Sequence, residues 1–249
     1  MHILQINDLY KSYVTQNKIP IPVLRGINLT VDSGDMTAVM GASGCGKTTL
    51  IHMIAGIDRA DSGSVWIEDT NILELSKSEM AVFRRNHIGL IFQDFNLLES
   101  LNVKDNILLP LILDHIPEEN CADSLEHIIR ILSIQNITDN YITDISGGER
   151  QRTAIARALI RKPGIVLADE PTGSLDAKST KDVMEYLTEL NEKLQMTLLM
   201  VTHDVYAASC CRNVVMLKDG TVAAILEKGR QRREEFLEQI YEFLKQNRW

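Results

Sequence analysis

The sequence predicts an α/β fold, and two segments of the chain carry that prediction. Residues 37–40 form a short apolar run typical of a buried strand, residues 41–48 form a glycine-rich loop, and residues 49–54 have the apolar density of a buried helix. Far along the chain, residues 165–170 form a second apolar run that ends in two carboxylates. We therefore expect a core in which strands and helices alternate.

The segments on either side of the first glycine loop predict two further parts. Residues 1 to about 36 contain turn residues at Asn17 and at residues 32–35, which indicates short antiparallel strands. From about residue 94 the pattern becomes helical: Pro117 stands where a helix could begin, and apolar residues follow at helical spacing. We expect a helical subdomain over about residues 94–145. The apolar residues at that spacing are Leu125, Ile128, Ile129 and Leu132.

After residue 176 helices and strands alternate again, and the last two strands form a hairpin around the turn at residues 218–220. Residues 230–249 form an extension with an apolar stripe at helical spacing. We expect this helix to pack on its own domain. Basic residues near a helix N-terminus oppose the helix dipole, so contact with a membrane surface or a partner is the alternative. The stripe and the basic residues are Phe236, Leu237, Ile240, Tyr241, Leu244, Arg230, Arg232 and Arg233.

The glycine loop fits the pattern G-x-x-x-x-G-K-[ST] at every fixed position over residues 41–48. In this pattern small residues let backbone N–H groups point at phosphate oxygens, the lysine (Lys47) reaches the β and γ phosphates, and the hydroxyl of Thr48 can bind Mg²⁺. The helix that follows adds the partial positive charge of its N-terminus. ATP or GTP is therefore the expected ligand.

Motifs in the second half of the chain indicate which reaction the nucleotide site could perform. Asp169 and Glu170 end the second apolar run, where the first acid can hold Mg²⁺ through water and the second can activate a water. A Gly-Gly pair at residues 147–148 opens a helix and offers a second N-terminus suited to a phosphate. His203 follows a further apolar run, at residues 197–201, where it can hydrogen-bond a γ phosphate.

In these motifs and in their order, the chain resembles the nucleotide-binding ATPase subunits of ABC transporters over nearly its whole length. The resemblance implies a P-loop NTPase fold of the ABC type, with a mixed sheet core, an N-terminal antiparallel β subdomain and an inserted helical subdomain. It places the ATPase domain at residues 1–229 and the C-terminal extension at residues 230–249. It also implies that the chain hydrolyses ATP with Mg²⁺ as a dimer. Each ATP would lie between the phosphate loop of one copy and the signature of the other, the family motif found here at residues 146–149.

The resemblance also assigns the site residues. It assigns catalysis to Glu170, His203 and Gln93, and it assigns Mg²⁺ binding to Thr48, Gln93 and Asp169. For the adenine, Tyr13 matches the stacking aromatic, and Tyr10 is the weaker candidate. The residues expected to contact the nucleotide are Tyr13, Gly41, Ala42, Ser43, Gly44, Cys45, Gly46, Lys47, Thr48, Thr49, Ser146, Gly147, Gly148, Glu149 and Asp176.

Three residues depart from the commonest family pattern. Cys45 replaces a serine in the phosphate loop, Ile145 replaces a leucine, and Glu149 replaces the glutamine of the signature. We expect the Glu149 carboxylate to accept hydrogen bonds from ribose hydroxyls. We also expect the Cys45 thiol to ionise readily beside Lys47 at a helix N-terminus.

Composition excludes several other classes of protein. The net charge of −8 gives no electrostatic reason to expect nucleic acid. The four cysteines show no metal spacing, so they are expected to be reduced thiols. No apolar run approaches the roughly 18 to 20 residues that a membrane-spanning helix needs, and no leader pattern opens the chain. Together with this, the resemblance to ABC ATPase subunits implies a peripheral protein at the cytoplasmic face of a bacterial plasma membrane, held there by an integral-membrane permease.

Finer likenesses indicate a branch of the family. Segments at residues 83–85, 88–93, 96–98 and 106–111 resemble the branch that contains lipoprotein-release, macrolide-export and peptide-antibiotic resistance systems. Within it, the likeness is to bacitracin and lantibiotic resistance ATPases, which work as two copies with one large permease. A lipoprotein-release or macrolide-export ATPase, or a membrane-bound regulator of cell-wall enzymes, is the alternative. A chromosome-organising ATPase is disfavoured because no long coiled coil separates the motifs.

Overall fold

The computed structural model describes residues 1–120 and 122–247, and the chain forms two sheets and eight α-helices over these residues. The strands are β1 (His2–Val14), β2 (Pro20–Asp32), β3 (Met36–Met40), β4 (Ser62–Ile67), β5 (Thr70–Asn71), β6 (Ile88–Ile91), β7 (Ile165–Asp169), β8 (Leu198–Val201), β9 (Asn213–Lys218) and β10 (Thr221–Glu227). The helices are α1 (Lys47–Ile54), α2 (Lys77–His87), α3 (Val103–Ile112), α4 (Ala122–Ile131), α5 (Gly147–Leu159), α6 (Ala177–Leu194), α7 (Val205–Ser209) and α8 (Arg233–Gln246).

The central sheet has six strands in the order β10-β9-β3-β8-β7-β6. The pairs from β9 to β6 are parallel, and β10 pairs antiparallel with β9, so the sheet is mixed as predicted. A four-stranded antiparallel sheet in the order β2-β1-β4-β5 forms the predicted N-terminal part. Because β3, β8 and β7 are parallel neighbours, their carboxyl ends meet at one edge of the sheet, which is where α/β folds bind ligands.

Apolar side chains cover both faces of the central sheet. Along β3, Ala38 and Met40 belong to one buried cluster with α3, α5 and α6, whereas Val39 belongs to a second cluster with α1 and the antiparallel sheet. The strand β8 alternates in the same way. Since successive residues of a strand point to opposite faces, a continuous apolar run is what a sheet covered on both sides requires.

The span predicted as helical contains α3, α4 and several short 3-10 turns. Pro117 precedes one of these turns (Glu118–Asn120) rather than an α-helix. Asn102 caps α3 by accepting from the backbone N–H of Asp105 at 2.7 Å. The cysteine at position 121 lies outside the described residues.

The C-terminal helix α8 packs against α7 and closes the core. Phe236 and Ile240 are fully buried, as the apolar stripe predicts for a helix packed on its own domain, whereas Tyr241 is exposed. The positive charge of Arg232, the N-cap of α8, is compensated locally. The Glu235 carboxylate accepts from the backbone N–H of Arg232 at 3.1 Å and from its Nε at 2.9 Å. Over residues 1–120 and 122–247, no helix has both the length and the apolar character needed to cross a bilayer.

Candidate active site

The predicted phosphate-binding loop connects β3 to α1 and depends on its glycines. Gly44 and Gly46 have φ angles of +78° and +107°, which residues with a Cβ rarely adopt. Gly41 has no room for a side chain, because an added Cβ would lie 2.2 Å from the carbonyl oxygen of Leu217. Gly46 is also the N-cap of α1, so the N–H groups at the start of that helix face the loop.

Lys47, the first residue of α1, folds back over the loop. Its Nζ donates to the carbonyl oxygens of Gly41 at 2.9 Å and of Ala42 at 3.1 Å. These contacts hold the ammonium charge over the backbone of the loop. The predicted contact residues Ser43 and Thr49 belong to the same continuous segment.

The phosphate loop and the acidic strand end meet in the structure. The hydroxyl of Thr48 donates to the carboxylate of Asp169 at 3.3 Å, across 121 residues of sequence. Burial raises the pKa of Asp169, and the positive charge of His52 and the Thr48 hydrogen bond oppose that shift. The strand order explains the contact, since β3 and β7 both neighbour β8.

Glu170 and His203 form a pair beside this contact. Glu170 has a left-handed backbone with φ +49°, and its Oε2 accepts from Nδ1 of His203 at 2.9 Å. The Glu170 side chain is 16% exposed and the His203 ring is 71% exposed. Nothing in the local sequence predicts this pair, because 33 residues separate its members; the backbone N–H of Glu170 bonds the carbonyl of Val201 and so fixes the two strand ends side by side.

Gln93 follows β6 and lies next to the segment after Glu170. The hydroxyl of Ser174 donates to the backbone carbonyl of Gln93 at 3.0 Å. A Cβ added at Gly173 would lie 3.1 Å from the Nε2 of Gln93 and 3.4 Å from the Cβ of Glu170. The structure therefore brings the three residues predicted for catalysis, Gln93, Glu170 and His203, to one edge of the sheet.

The two tyrosines considered for adenine stacking have different surroundings, and Tyr13 lies near Asp58. Its hydroxyl donates to Asp58 at 2.9 Å, and Lys11 Nζ lies 4.8 Å from its ring centroid. Burial and the Asp58 carboxylate raise the pKa of Tyr13, and a hydrogen bond with Thr49 opposes the shift. Because Thr49 belongs to α1, the Tyr13 ring lies beside that helix. Tyr10 lies instead against Gly26, where an added Cβ would be 2.8 Å from its hydroxyl.

The signature residues form the N-terminus of α5. The Glu149 carboxylate accepts from the backbone N–H of Ser146 at 2.8 Å and from its hydroxyl at 2.7 Å, and these bonds lower the pKa of Glu149. This capping box was not predicted, although Ser-x-x-Glu at a helix start is its sequence pattern. The carboxylate that we expected to face ribose is thus engaged by its own N-cap, and a ribose contact stays a prediction.

Another predicted nucleotide contact, Asp176, also caps a helix. Its carboxylate accepts from the backbone N–H groups of Lys178 and Ser179, both at 2.9 Å, and these bonds lower its pKa. The signature lies next to this helix start: an added Cβ at Gly147 would be 3.5 Å from Leu175, and one at Gly148 would be 3.5 Å from Ser179. Within the described chain, no hydrogen bond joins the signature to the phosphate loop.

The expectation that Cys45 ionises readily is wrong. The residue is only 8% exposed, and its Sγ would be 2.6 Å from a Cβ added at Gly41. Burial raises the pKa of the Cys45 thiol and outweighs the opposing charge of Lys47. The charge of Lys47 and the hydrogen bonds from nearby backbone N–H groups therefore do not compensate for removing a thiolate from water.

We expect Cys45 to be alkylated at least about tenfold more slowly in the folded protein than in the denatured chain at neutral pH, because its thiolate fraction is lowered and its sulfur is buried. Since the pKa is raised, labelling should accelerate as pH increases above the ordinary thiol range. Peptide mapping after timed treatment with N-ethylmaleimide measures both effects, with Cys45→Ser as the unlabelled control. Rapid labelling of Cys45 at neutral pH would contradict the observed burial.

A glycine loop between strand and helix, a threonine joined to an acid on a nearby strand, and a glutamate beside them together define a P-loop nucleoside triphosphatase. The chain belongs to the ABC transporter family, whose family model matches residues 24–173. It is an ABC-type ATPase.

The comparisons with known proteins cover almost the full chain. The chain is 45% identical over 241 residues to the bacitracin export ATP-binding protein BceA of Halalkalibacterium halodurans, a match that covers 96% of this chain and 94% of that protein. It is 44% identical over 243 residues to the ABC transporter ATP-binding protein YxdL of Bacillus subtilis, covering 98% and 93%. The ATP-binding cassette MJ0796, solved as a dimer in a post-hydrolysis state with ADP and Pi, superposes with a TM-score of 0.81 at 32% identity, covering 90% of this chain and 98% of that one.

Proposed function

We propose that this chain is the ATP-hydrolysing subunit of a bacterial transporter that acts with a separate membrane permease in export of, or resistance to, peptide antibiotics of the bacitracin and lantibiotic type. The observation that carries the proposal is the 45% identity to a bacitracin export ATP-binding protein over 96% of the chain. The intact pair of Glu170 and His203 supports an active enzyme rather than a nucleotide-binding remnant.

The phosphates of ATP would lie on the loop at residues 41–48, with Lys47 over them and the adenine on Tyr13. The hydroxyl of Thr48 and the carboxylate of Asp169 supply oxygen donors of the kind that Mg²⁺ prefers, 3.3 Å apart. When bound, Mg²⁺ would be held by Thr48, by Asp169 through water and by Gln93, and would neutralise charge on the phosphates.

Hydrolysis follows from the position of Glu170. Its carboxylate accepts a proton from water as the water oxygen attacks the γ phosphorus, and the bond from that phosphorus to the β–γ bridging oxygen breaks to release ADP. His203 positions the carboxylate through its Nδ1 and can donate to the γ phosphate when it turns toward the nucleotide. Both groups sit at strand ends, where the sheet fixes their separation.

A complete site needs a second copy of the chain. The N-terminus of α5 presents Ser146, Gly147 and Gly148, yet within one chain these residues pack beside Leu175 and α6 rather than on the phosphate loop. A second copy would bring its signature to the γ phosphate and add the dipole of α5 to that of α1. ATP binding would then close the dimer and hydrolysis would open it.

The permease would bind near Gln93. A groove of about 470 Å³ between α2, β6 and α5 lies beside the segment that follows Gln93 and is lined by Leu90, Phe92, Asn96 and Pro110 among others. A permease segment seated there would contact Phe92 and Asn96, on either side of Gln93 in the chain. The chain would thus be held peripherally at the cytoplasmic face of the plasma membrane, and the permease would choose the substrate.

Deleting the gene in its bacterial host is expected to increase sensitivity to bacitracin or a lantibiotic without changing sensitivity to a macrolide. Growth inhibition measured over a dilution series of each antibiotic tests this, and complementation with the wild-type gene should restore resistance. Glu170→Gln provides the matched control, since it should not complement. A deletion strain that changes only in macrolide sensitivity, or that is unchanged toward the peptides, would refute the proposed substrate class.

A further inference from the structure

Arg157, on the last turns of α5, holds the segment that follows Gln93. Its two terminal nitrogens donate to consecutive backbone carbonyls, one to Asn96 at 2.5 Å and the other to Phe95 at 2.7 Å. The guanidinium fork is suited to such two-point contacts, because its donors are fixed in one plane. The contact crosses more than sixty residues of sequence and joins α5 to the loop after β6.

The segment that Arg157 holds has an unfavourable backbone. Phe95 and Asn96 have φ angles of +59° and +49°, and two successive left-handed residues persist only where their surroundings impose them. A second clamp holds residues 98 to 101: the fully buried Asn106 donates through Nδ2 to the carbonyls of Leu98 and Leu101 and accepts from the Leu98 N–H at 2.8 Å. The loop is therefore fixed from α3 and α5 together.

The electrostatics of Arg157 indicate a specific role. Burial lowers the pKa of its guanidinium, and among the described residues no carboxylate lies within ion-pair distance of it. Arg157 is half-buried, and only backbone carbonyls compensate here for the hydration that its charge loses. Arg161, one turn further along the chain, differs: it pairs with Asp114 and also bonds Asn86.

The helix that carries Arg157 begins at the signature. Ser146 caps its N-terminus, and Arg157 reaches the segment after Gln93 from near its C-terminal end. In the proposed dimer, the signature and Gln93 of one chain serve different ATP molecules. A rigid connection between the signature and Gln93 would transmit a conformational change at one ATP site to the other.

We propose that Arg157 is a positioning residue that fixes Gln93 relative to the signature helix, so that α5 and the Gln93 segment move as one unit during ATP hydrolysis. This rests on the proposed function, since Gln93 must act on the nucleotide for its position to matter. The residue acts on chemistry only through Gln93, and its loss should therefore have no effect where Gln93 is already absent.

The test is a double-mutant cycle in the full chain with Arg157→Lys, Gln93→Ala and the double variant, and with Arg161→Lys as the matched control. Arg157→Lys is expected to lower kcat about tenfold with KM for ATP changed less than about twofold. In the Gln93→Ala background it should lower kcat no further. Hydrogen exchange over residues 94–101 should speed up in Arg157→Lys and stay as in wild type in Arg161→Lys.

Equal losses from Arg157→Lys in both backgrounds would overturn the proposal, as would the same loss from Arg161→Lys. Should Arg157→Lys lower the melting temperature, Arg157→Gln takes its place, because it keeps a planar amide donor without a buried charge. The outcomes separate the two proposals. A wild-type chain without ATPase activity would refute the proposed function, whereas an active wild type, an impaired Gln93→Ala and an unimpaired Arg157→Lys would refute this inference alone.

Discussion

Glutamine in place of Glu170 is expected to slow ATP hydrolysis by about 10²- to 10⁴-fold and to leave ATP binding intact. The amide keeps the shape of the side chain and can still accept from Nδ1 of His203, but it cannot take the proton of the attacking water. Uncleaved ATP should then hold two copies of the chain together. Size-exclusion chromatography with MgATP would show a stable dimer, and phosphate release would show the lost turnover.

The chain supplies a matched control for this experiment. Glu68 also accepts from a histidine, with its Oε2 3.0 Å from Nδ1 of His87, but this pair joins the turn after β4 to the end of α2. Glu68→Gln should hydrolyse ATP at the wild-type rate and form no trapped dimer. If Glu170→Gln stayed monomeric with MgATP, or turned over at the wild-type rate, the assignment of the general base and the shared site would be wrong.

Alanine in place of Lys47 is expected to weaken ATP affinity by about one to two orders of magnitude, because it removes a charged contact to phosphate. The same change also removes the bonds from Nζ to the carbonyls of Gly41 and Ala42, which hold the charge over the loop. Isothermal titration calorimetry with a non-hydrolysable ATP analogue measures the affinity directly.

Lys193→Ala is the control for loss of a lysine charge, since Lys193 pairs with Glu189 on α6 and touches no residue of the site. Its affinity for the analogue should match that of wild type. An unchanged affinity in Lys47→Ala would mean that the phosphates do not lie under this ammonium group, and the loop at residues 41–48 would lose its assignment.

Much of the site could be predicted from sequence because its requirements are local. The left-handed glycines Gly44 and Gly46 and the crowded Gly41 satisfy backbone needs that only glycine meets, so they mark the loop directly. Continuous apolar runs mark strands buried on both faces, as β7 and β8 are. The caps at Ser146 and Asp176 are equally local; the sequence analysis predicted nucleotide contacts for these residues but not their capping roles.

Sequence by itself therefore predicted which residues would contact a nucleotide and determined which strands carry them, because motif spacing and burial pattern act over a few residues. Only the tertiary structure decided which of them touch. The order β3-β8-β7 brings Thr48 to Asp169 across 121 residues and Glu170 to His203 across 33. The tertiary structure also buries Cys45 in the apolar cluster of α1 and the antiparallel sheet, where solvent exclusion outweighs the nearby positive charge. Such contacts depend on strand order and packing, which couple positions far apart in the chain and leave no trace in local spacing.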